Sequence, residues 1–537
     1  MPFALIFISG GAILALELLA SRIMTPYFGV SLYIWTGILS ITLVSLALGY
    51  WWGGRLAGGR QPATDRKLGL LFAIMPGLAG IAIVAACLLY PYAFLPLARW
   101  SLIGGAFAAC MILLFLPLVA TSAMNPLLVA LLLRRQAAHK TAHEGDAGSG
   151  MVFFVSTLGS VAGVIVTAFL LIPNVSNFTA ALLVALLLGV LSLTAAALPK
   201  LPMYGRGAVT ACGIIAMMGA VLLAWQGDNY TGRQGKIAFS GGQWQVEGTH
   251  GSLFGTVKIL RSGTDGDGKF LRVYFHDGLI QNAVDSNQRS IVFYTYALEA
   301  LTRAYQPQPQ QVLVLGLGAG IVPSRLARDG ARVEVVEIDP ASLAVAQHYF
   351  GFDATRITTH QADARTFVSD CTPRHDVVLV DLFHGDGTPD YLITREFFRD
   401  LRRCLTPGGI AVFNTFVDLE NQRAYAHLLA TLTSELPHVA MYRQDHRPDA
   451  RQINSYLVAA PVPLPVPQRI TMTDAPKRYA SALLDMLAKP QTVGGEHTAS
   501  GKIIYDAWNA AALDMAASQS AFRRSVLDTT PAALLMN

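Results

Sequence analysis

The stretch Val312–Pro340, "VLVLGLGAGIVPSRLARDGARVEVVEIDP", decides the fold of half of this chain. It begins with a continuous apolar run, continues through Gly316, Gly318 and Gly320, and then alternates a helical segment with a second apolar run. Glycines let a backbone turn sharply and approach a ligand closely, and the start of a helix presents free N–H groups. The stretch therefore predicts a nucleotide-binding turn between a strand and a helix.

Acidic residues follow at the ends of three more predicted strands. Glu337 lies about 20 residues beyond the first strand, where an acid can accept hydrogen bonds from ribose hydroxyls. Asp363 follows another expected strand, where it could meet an adenine amine, and Asp381 ends the apolar strand "HDVVLV". The glycine spacing is GxGxG rather than GxGxxG, which weakens a dinucleotide interpretation. The competing explanation is that these residues are only turn glycines and helix caps.

Strands and helices alternate through this part of the chain. Such alternation predicts a mostly parallel sheet with helices on both faces. The predicted strands lie near residues 311–315, 332–337, 376–381, 410–416, 438–444 and 454–460. Ahead of them, "FGTVKILRSGTDGDGKFLRVYFHDG" predicts a small β-hairpin region that turns around Ser262–Gly268.

The first part of the chain is far more apolar. Hydrophobic residues make up 53% of the protein and charged residues only 14%, whereas soluble proteins are about 25% charged. Seven runs approach the length of about 20 residues that a membrane span needs. They are Phe3–Ala20, Leu32–Trp52, Leu68–Tyr90, Ser101–Leu133, Met151–Ile172, Phe178–Leu198 and Ala208–Trp225. In the long fourth run, Pro117 and the pair Asn125-Pro126 are expected to kink or break the helix.

These patterns predict four segments. Residues 1–225 form a transmembrane domain of about seven helices, and residues 226–250 a polar linker. Residues 251–461 form the α/β domain, and residues 462–537 a proline-rich break with a helical tail. The five cysteines form no CxxC pair, so we expect neither a zinc site nor a disulfide framework. No basic run with interleaved aromatic residues points to nucleic acid.

Residues from about Gly251 to Pro461 resemble the spermidine synthase family, a branch of the methyltransferase-type, Rossmann-like α/β fold. The similarity lies in "FGTVKIL", "LRVYFHDGLIQN", "VLVLGLGAG", "VVEIDP", "VVLVDLF" and "LTPGGIAVFNT". Together with "ALELLASRIMTPYFGVSLYIWTGI" and "LGYWWGGRLAG", the chain resembles the integral-membrane, fused spermidine synthase-like proteins. The resemblance implies a multi-pass α-helical membrane domain joined to that α/β domain.

The resemblance also implies roles for individual residues. Gln281 and the loop Gly316–Gly320 would line a nucleoside pocket, Glu337 would hold the ribose, and Asp363 with the adjacent Ala364 would meet the adenine. The implied co-substrate is decarboxylated S-adenosylmethionine or S-adenosylmethionine itself, without a metal.

Asp381 is the catalytic base that the resemblance implies; a helix-capping acid is the alternative. His384 is a second candidate base, because imidazole titrates near neutrality, unless it is simply a solvated loop residue.

Three positions depart from the family pattern. Ala319 stands where the family usually has an aspartate that grips the donor's amine. Tyr294-Thr295-Tyr296 replaces a Tyr-His-Glu stretch, and His384 replaces a second acid that binds the distal amine of the acceptor. A dication needs buried carboxylates to offset its desolvation. Asp386 and Asp390 are near enough in sequence to replace the missing acids.

Three functions remain open from the sequence. The first is a membrane-anchored aminopropyltransferase that acts on an amine or polyamine. The departures at Ala319 and His384 favour the second, an S-adenosylmethionine-dependent methyltransferase, whose acceptor could be an amine or a lipid. The third is a non-catalytic transporter that senses the nucleotide, supported by Glu17 within the first apolar run and by the broken fourth run. Related soluble enzymes are typically oligomers, which implies a homo-oligomer.

Two arguments place the α/β domain on opposite sides of the membrane. The basic loops are 53–67, 134–150 and 199–207, and the positive-inside rule makes them cytoplasmic. Seven spans would then carry the α/β domain to the outside. Because S-adenosyl nucleotides are made in the cytosol, chemistry favours a multi-pass protein of the inner membrane with a cytoplasmic catalytic domain.

Overall fold

The computed structural model describes residues 2–29, 32–58, 64–138, 145–197, 203–230, 235–383, 387–444, 451–470, 472, 474–509 and 512–537. The chain divides into two compact units. Unit 1 comprises Met1–Ser240 with Leu527–Asn537, and unit 2 comprises Gly241–Val526. Each unit is described below by itself.

Unit 1 is helical apart from its short final strand. Its helices are α1 (Pro2–Phe28), α2 (Leu32–Gly58), α3 (Asp65–Trp100), α4 (Leu102–Cys110), α5 (Leu116–Ser122), α6 (Met124–Ala138), α7 (Gly145–Val166), α8 (Ile172–Asn174), α9 (Asn177–Ala196), α10 (Met203–Trp225) and α11 (Gly227–Tyr230). Among the described residues, seven helical stretches are long and apolar enough to cross a membrane. The seven predicted apolar runs are therefore confirmed as candidate spans.

The long fourth run forms a continuous helical stretch with two irregularities. A π-helical turn at Met111–Phe115 separates α4 from α5 and directly precedes Pro117. A turn at Ala123 separates α5 from α6 just before Asn125-Pro126. Proline lacks the N–H that an α-helix needs and its ring clashes with the preceding turn. The regular α-helix is thus interrupted near both positions.

Glycines allow α1 and α7 to pack with their backbones almost in contact. A Cβ atom on Gly159 would lie 1.9 Å from the carbonyl oxygen of Phe7, and one on Gly163 would lie 2.2 Å from that of Gly11. Lipid tails are as apolar as leucine, so helices in a bilayer gain by close backbone approach rather than by hydrophobic burial. These glycines are therefore packing residues.

Unit 2 begins with an antiparallel sheet of five strands in the order β1-β2-β3-β4-β5. The strands are β1 (Ile237–Phe239, assigned to unit 1), β2 (Gly242–Ser252), β3 (Gly255–Ser262), β4 (Leu271–His276) and β5 (Leu279–Asp285). The hairpin turn predicted around Ser262–Gly268 is confirmed between β3 and β4. The predicted linker 226–250 is wrong in its second half, because β2 pairs with β3 from Trp244 onward. Glycines and polar residues in this half-exposed strand hide its alternation.

The second sheet has eight strands in the order β13-β11-β12-β10-β9-β6-β7-β8. They are β6 (Gln311–Leu315), β7 (Arg332–Glu337), β8 (Thr358–Gln361), β9 (His375–Val380), β10 (Leu405–Asp418), β11 (His438–Arg443), β12 (Gln452–Ala460) and β13 (Gln491–Thr492). The five strands from β10 to β8 are parallel, and β12, β11 and β13 extend the sheet antiparallel. The predicted helical tail thus also supplies the edge strand β13.

Apolar clusters on both faces of this sheet hold the unit together. One face packs on α12 and α13, the other on α15 and α16, which confirms the prediction of helices on both sides. The helices of unit 2 are α12 (Phe293–Tyr305), α13 (Ile321–Arg328), α14 (Pro340–Tyr349), α15 (Ala364–Ser369), α16 (Arg395–Cys404), α17 (Arg423–Glu435), α18 (Lys477–Leu487), α19 (Gly495–Thr498) and most of α20 (Ala512–Thr529). The last helix, α21 (Ala532–Leu535), belongs to unit 1.

Cys371 and Cys404 form a disulfide with their Cα atoms 5.1 Å apart. The sequence predicts no disulfide framework, and for this pair the expectation is wrong. The two residues are 33 positions apart, with no short-range spacing to reveal them. Packing of α15 beside α16 brings them together.

Candidate functional site

The glycine loop after β6 takes a left-handed path that suits only glycine. Gly316, Gly318 and Gly320 have φ angles of 92°, 52° and 71°. A Cβ on Gly316 would lie 2.3 Å from the carbonyl oxygen of Asp381, and one on Gly320 would lie 2.6 Å from the ring of Phe352. No atom lies within 4 Å of the Cβ position of Gly318. The loop is thus packed at both ends and open in its middle, where its backbone can approach a ligand.

Glu337 ends β7 beside this loop. One of its carboxylate oxygens accepts the N–H of Leu317 at 2.9 Å, and the other accepts the N–H of Asp339 at 2.8 Å. Burial raises the pKa of Glu337, and these two hydrogen bonds oppose the rise. The side chain keeps some exposed surface, so its free lone pairs can still accept from a diol. The hydrogen bond from Leu317 thus places Glu337 beside the glycine loop, while its contact with a ribose stays a prediction.

Asp363 caps helix α15. Its Oδ2 accepts the N–H of Thr366 at 2.9 Å, and its Oδ1 accepts the hydroxyl of Tyr391 at 3.2 Å. Ala364 is 5% exposed and belongs to the apolar cluster behind the cap. Asp363 is therefore a helix cap, and its contact with an adenine stays a prediction. Tyr391, on the connection after β9, is a neighbour that the sequence did not indicate.

Gln281 lies at an irregularity in β5. The pairing of β4 with β5 shifts between Tyr274, opposite Asn282, and Phe275, opposite Ile280, which leaves Gln281 as the extra residue. Bulges of this kind re-aim side chains next to binding sites. The following residue, Asn282, is 2% exposed and donates to the hydroxyl of Tyr294 at 3.1 Å.

Asp381 follows β9 and lies against the glycine loop. Its backbone N–H donates to the carbonyl of Leu315 at 2.9 Å, which holds it against the start of the glycine loop. Its side chain accepts a hydrogen bond of 2.8 Å from Nδ2 of Asn414. Burial raises the pKa of Asp381 to about 6, although the bond from Asn414 lowers it. A carboxylate poised near neutrality can take up a proton in catalysis.

Two tyrosines complete the surroundings of this carboxylate. Burial raises the pKa of Tyr294, on α12, and that of Tyr456, on β12, and in both the negative charge of Asp381 adds to the rise. Tyr456 is fully buried, whereas Tyr294 keeps some exposed surface. The sequence does not identify Asn414 or Tyr456 as site residues. The available signal was a carboxamide inside the apolar strand "IAVFNT", since a buried polar group needs a partner.

Two residues at the family departures, Ala319 and Thr295, have structural contacts. Ala319 is 1% exposed in an apolar cluster with Val257, Ile259 and Val345. Thr295 hydrogen-bonds Ser290 at 2.9 Å. These contacts explain the two side chains without requiring a bound ligand.

Of the candidate replacement acids, only Asp390 lies within the described residues. Asp390 accepts from Asn509 at 2.8 Å in an exposed pair. His384 and Asp386 lie outside the described residues, so their predicted roles have no structural account.

An apolar cavity opens next to Asn414. Its walls come from β10, α17 and α20 and include Phe413, Phe416, Tyr425 and Met515. Ligand sites are typically apolar cavities with a few polar groups. The cavity adjoins the residue that holds Asp381, at the carboxyl end of parallel strands, where open α/β sheets bind ligands.

Comparison with known proteins agrees with this geometry. Residues 292–448 match the spermine/spermidine synthase domain. This segment contains the glycine loop, Glu337, Asp363, Asp381 and Asn414. The resemblance drawn from the sequence is confirmed for this part of the chain.

Proteins that are similar to this part of the chain are named as polyamine aminopropyltransferases and spermidine synthases. The polyamine aminopropyltransferase of Vibrio vulnificus is 31% identical over 183 residues, which cover 33% of this chain and 60% of that protein. Spermidine synthase 1 of Hyoscyamus niger is 27% identical over 194 residues, 35% of this chain and 56% of that protein. The chain thus spans between about half and 60% of these relatives' lengths.

Among solved structures, a probable spermidine synthase from Corynebacterium glutamicum is 20% identical with a TM-score of 0.41. That match covers 49% of this chain and 97% of the other.

Proposed function

We propose that this protein is a membrane-anchored transferase of the aminopropyltransferase type. Unit 2 would bind decarboxylated S-adenosylmethionine and pass its aminopropyl group to an amine, while unit 1 holds the enzyme at a bilayer. The observation that carries the proposal is Asp381, a carboxylate with a pKa of about 6 packed against the glycine loop. The matched domain and the names of the relatives support it.

The residues present fit an adenosyl ligand. The open backbone at Gly318 can receive the nucleoside, Glu337 can accept from the ribose hydroxyls, and Asp363 with Tyr391 can border the base. The bound sulfonium would supply an electrophilic carbon and a neutral thioether leaving group. These residues therefore need only bind and orient it.

Asp381 would act on the acceptor. The amine nitrogen forms its new bond to the methylene carbon while the carbon–sulfur bond breaks toward sulfur, and the nitrogen sheds one proton. Asp381 takes that proton and releases it to solvent. Asn414 orients the carboxylate through its 2.8 Å hydrogen bond. The nearby Tyr294 hydroxyl is held by a hydrogen bond of 3.1 Å that it accepts from Nδ2 of Asn282.

A methyltransferase is the second candidate. It is favoured by Ala319, whose apolar surroundings leave no carboxylate at the position where the resembled family grips the donor's amine. Methyl transfer uses the same sulfonium chemistry, with the methyl carbon attacked instead of the methylene carbon.

One experiment separates these activities. The full-length protein, purified in detergent, is offered S-adenosylmethionine and its decarboxylated form separately, each with putrescine, spermidine and a membrane lipid extract. Mass spectrometry of the products is the readout. An aminopropyl increment with release of methylthioadenosine supports the proposal, and a methyl increment with S-adenosylhomocysteine replaces it with the second candidate. Binding of a donor without any product, in wild type as in Asp381→Asn, would favour the nucleotide-sensing transporter.

A further inference from the structure

The cysteines divide sharply between the two units. Cys87, Cys110 and Cys212 lie in α3, α4 and α10, within candidate membrane spans. The two cysteines of unit 2, Cys371 and Cys404, are joined in a disulfide. Every cysteine outside the spans is therefore paired.

This disulfide is remote from the proposed chemistry. Cys371 follows α15 and Cys404 ends α16, and the strands that come next, β9 and β10, pair at His375 and Leu405. Both cysteines thus lie at the amino-terminal edge of the sheet, whereas Asp381 lies at the carboxyl-terminal edge. Cys404 is fully buried and Cys371 is 8% exposed. A buried disulfide away from the site is structural, and structural disulfides persist in oxidising compartments but are rare in the cytosol.

Charges on unit 1 give a second, independent observation. The connections that follow α2, α6 and α9 are flanked by basic residues: Arg55, Arg60, Arg66, Lys67, Arg134, Arg135, Lys140, Lys200 and Arg206. The alternate connections, at 29–33 and 175–176, contain no Lys or Arg, and the one at residue 101 has only Arg99 beside it. Basic loops stay in the cytoplasm. The three basic connections are therefore the cytoplasmic ones.

Together with this charge bias, the number of spans indicates on which side of the membrane unit 2 lies. The chain reaches its first basic connection after two of the seven spans found in the described residues, and it reaches residue 226 after the seventh. An odd number of crossings separates these two points. We infer that unit 2 works on the exported side of the membrane, with Cys371 and Cys404 oxidised there. Its nucleoside and its acceptor must be drawn from that side, so a transport step or an extracytoplasmic reaction must supply the nucleoside.

Cysteine accessibility in the full chain tests this inference. Asp267, whose side chain is 75% exposed in the β3–β4 turn, is replaced in Asp267→Cys. Gly58, at the end of α2 with no atom within 4 Å of its Cβ position, is replaced in the matched variant Gly58→Cys. Sealed right-side-out vesicles are treated with a membrane-impermeant maleimide before and after permeabilisation, and wild type gives the background.

The expected result is that Asp267→Cys is labelled in sealed vesicles and Gly58→Cys only after permeabilisation. The reverse pattern overturns the inference, and so does equal protection of both sites until the membrane is opened. In parallel, free thiols are alkylated before lysis, and the peptides that contain Cys371 and Cys404 should remain linked in mass spectrometry. Recovery of both peptides alkylated contradicts the exported location. Neither readout requires turnover, so its outcome is independent of the proposed transferase activity.

Discussion

Asn414 donates a hydrogen bond of 2.8 Å to the Asp381 carboxylate from the neighbouring strand. Asn414 is 6% exposed, and its own side-chain oxygen accepts from Asn454 at 3.4 Å. A carboxamide chain thus runs across β12 and β10 to the candidate base on β9. It fixes the direction of the carboxylate and partly offsets the burial that raises its pKa. Hydrogen bonds to the charged form of an acid favour ionisation.

The pKa of Asp381 predicts the pH dependence of transfer. Only the carboxylate form can accept a proton, so the form is lost as pH falls through about 6. Below that value, kcat/KM should drop by about 10-fold per pH unit. Values of kcat/KM for the donor, measured with a saturating acceptor at constant ionic strength, check this. A flat profile between about pH 5 and 8 would exclude Asp381 as the base.

Asp381→Asn should reduce kcat by about 100-fold or more and leave donor binding intact. The variant should also unfold at a higher temperature near pH 8. Because burial raises the pKa from 3.8 to about 6 in the folded state, ionisation of this carboxyl opposes folding, and the neutral amide removes that penalty. The penalty is complete above pH 6, so the gain in Tm should shrink as pH falls from about 6 toward 3.8. Thermal unfolding of both proteins across pH, with donor binding by calorimetry, tests the pair of expectations.

Asn414→Ala should move the acid limb of the pH–rate profile upward, because the hydrogen bond that lowers the pKa of Asp381 is lost. Thr415→Ala on the same strand is the matched control. Thr415 bonds the carbonyl of Ser455 at 2.6 Å, so its loss should lower stability without moving the limb. An equal effect of both variants on the profile would mean that Asn414 acts only through the fold.

Two glycines of the loop should respond differently to alanine. Gly318→Ala places a side chain at a left-handed φ in open space, at a cost of about 1–2 kcal/mol. Gly316→Ala adds a contact of 2.3 Å to the carbonyl of Asp381, so its Tm should fall further. Gly318→Ala should instead lose donor affinity out of proportion to its stability. Donor affinity measured by calorimetry, together with Tm from thermal unfolding, distinguishes a loss of binding from a loss of stability.

Ala319→Asp restores the residue that the resembled family usually has. In this chain the new carboxylate would enter an apolar cluster with Val257 and Ile259, and unfolding should become easier by roughly 2 kcal/mol or more. Ala319→Val is the control for added volume alone. If Ala319→Asp keeps wild-type stability and binds the decarboxylated donor more tightly, the position faces the ligand instead.

Loss of the disulfide should weaken unit 2. Closing a loop across a separation of 33 residues stabilises a folded domain by about 3–4 kcal/mol in the chain-entropy account. The double variant Cys371→Ser/Cys404→Ser should unfold at lower temperature, and reductant should lower the Tm of wild type but not of this variant. Cys212→Ser leaves the disulfide intact and serves as the control.

Local sequence patterns were sufficient to predict many structural elements of this protein. The apolar runs predict the candidate spans, because a helix in lipid must show a long apolar surface whatever its neighbours are. The strand–glycine–helix pattern around Gly316 predicts the loop, since left-handed backbone selects glycine locally. Glu337 follows from the same pattern, because successive parallel strands end at one edge of a sheet.

Other features depend on residues that are distant along the chain. The sequence predicts a linker where β2 lies, because pairing with β3, and not its own alternation, makes this segment a strand. The disulfide joins two helices that only packing brings together.

What the sequence by itself determined is therefore the kind of each element and the chemistry placed at its end: the apolar spans, the glycine loop and the acids after β7 and β9. Only the tertiary structure decided which side chains surround Asp381. Asn414 and Tyr456 reach it from strands 33 and 75 positions further along the chain. No short-range spacing encodes such a contact, since it arises from the order in which β9, β10 and β12 assemble into one sheet. The raised pKa has the same origin, because burial is a property of the folded surroundings and not of the aspartate.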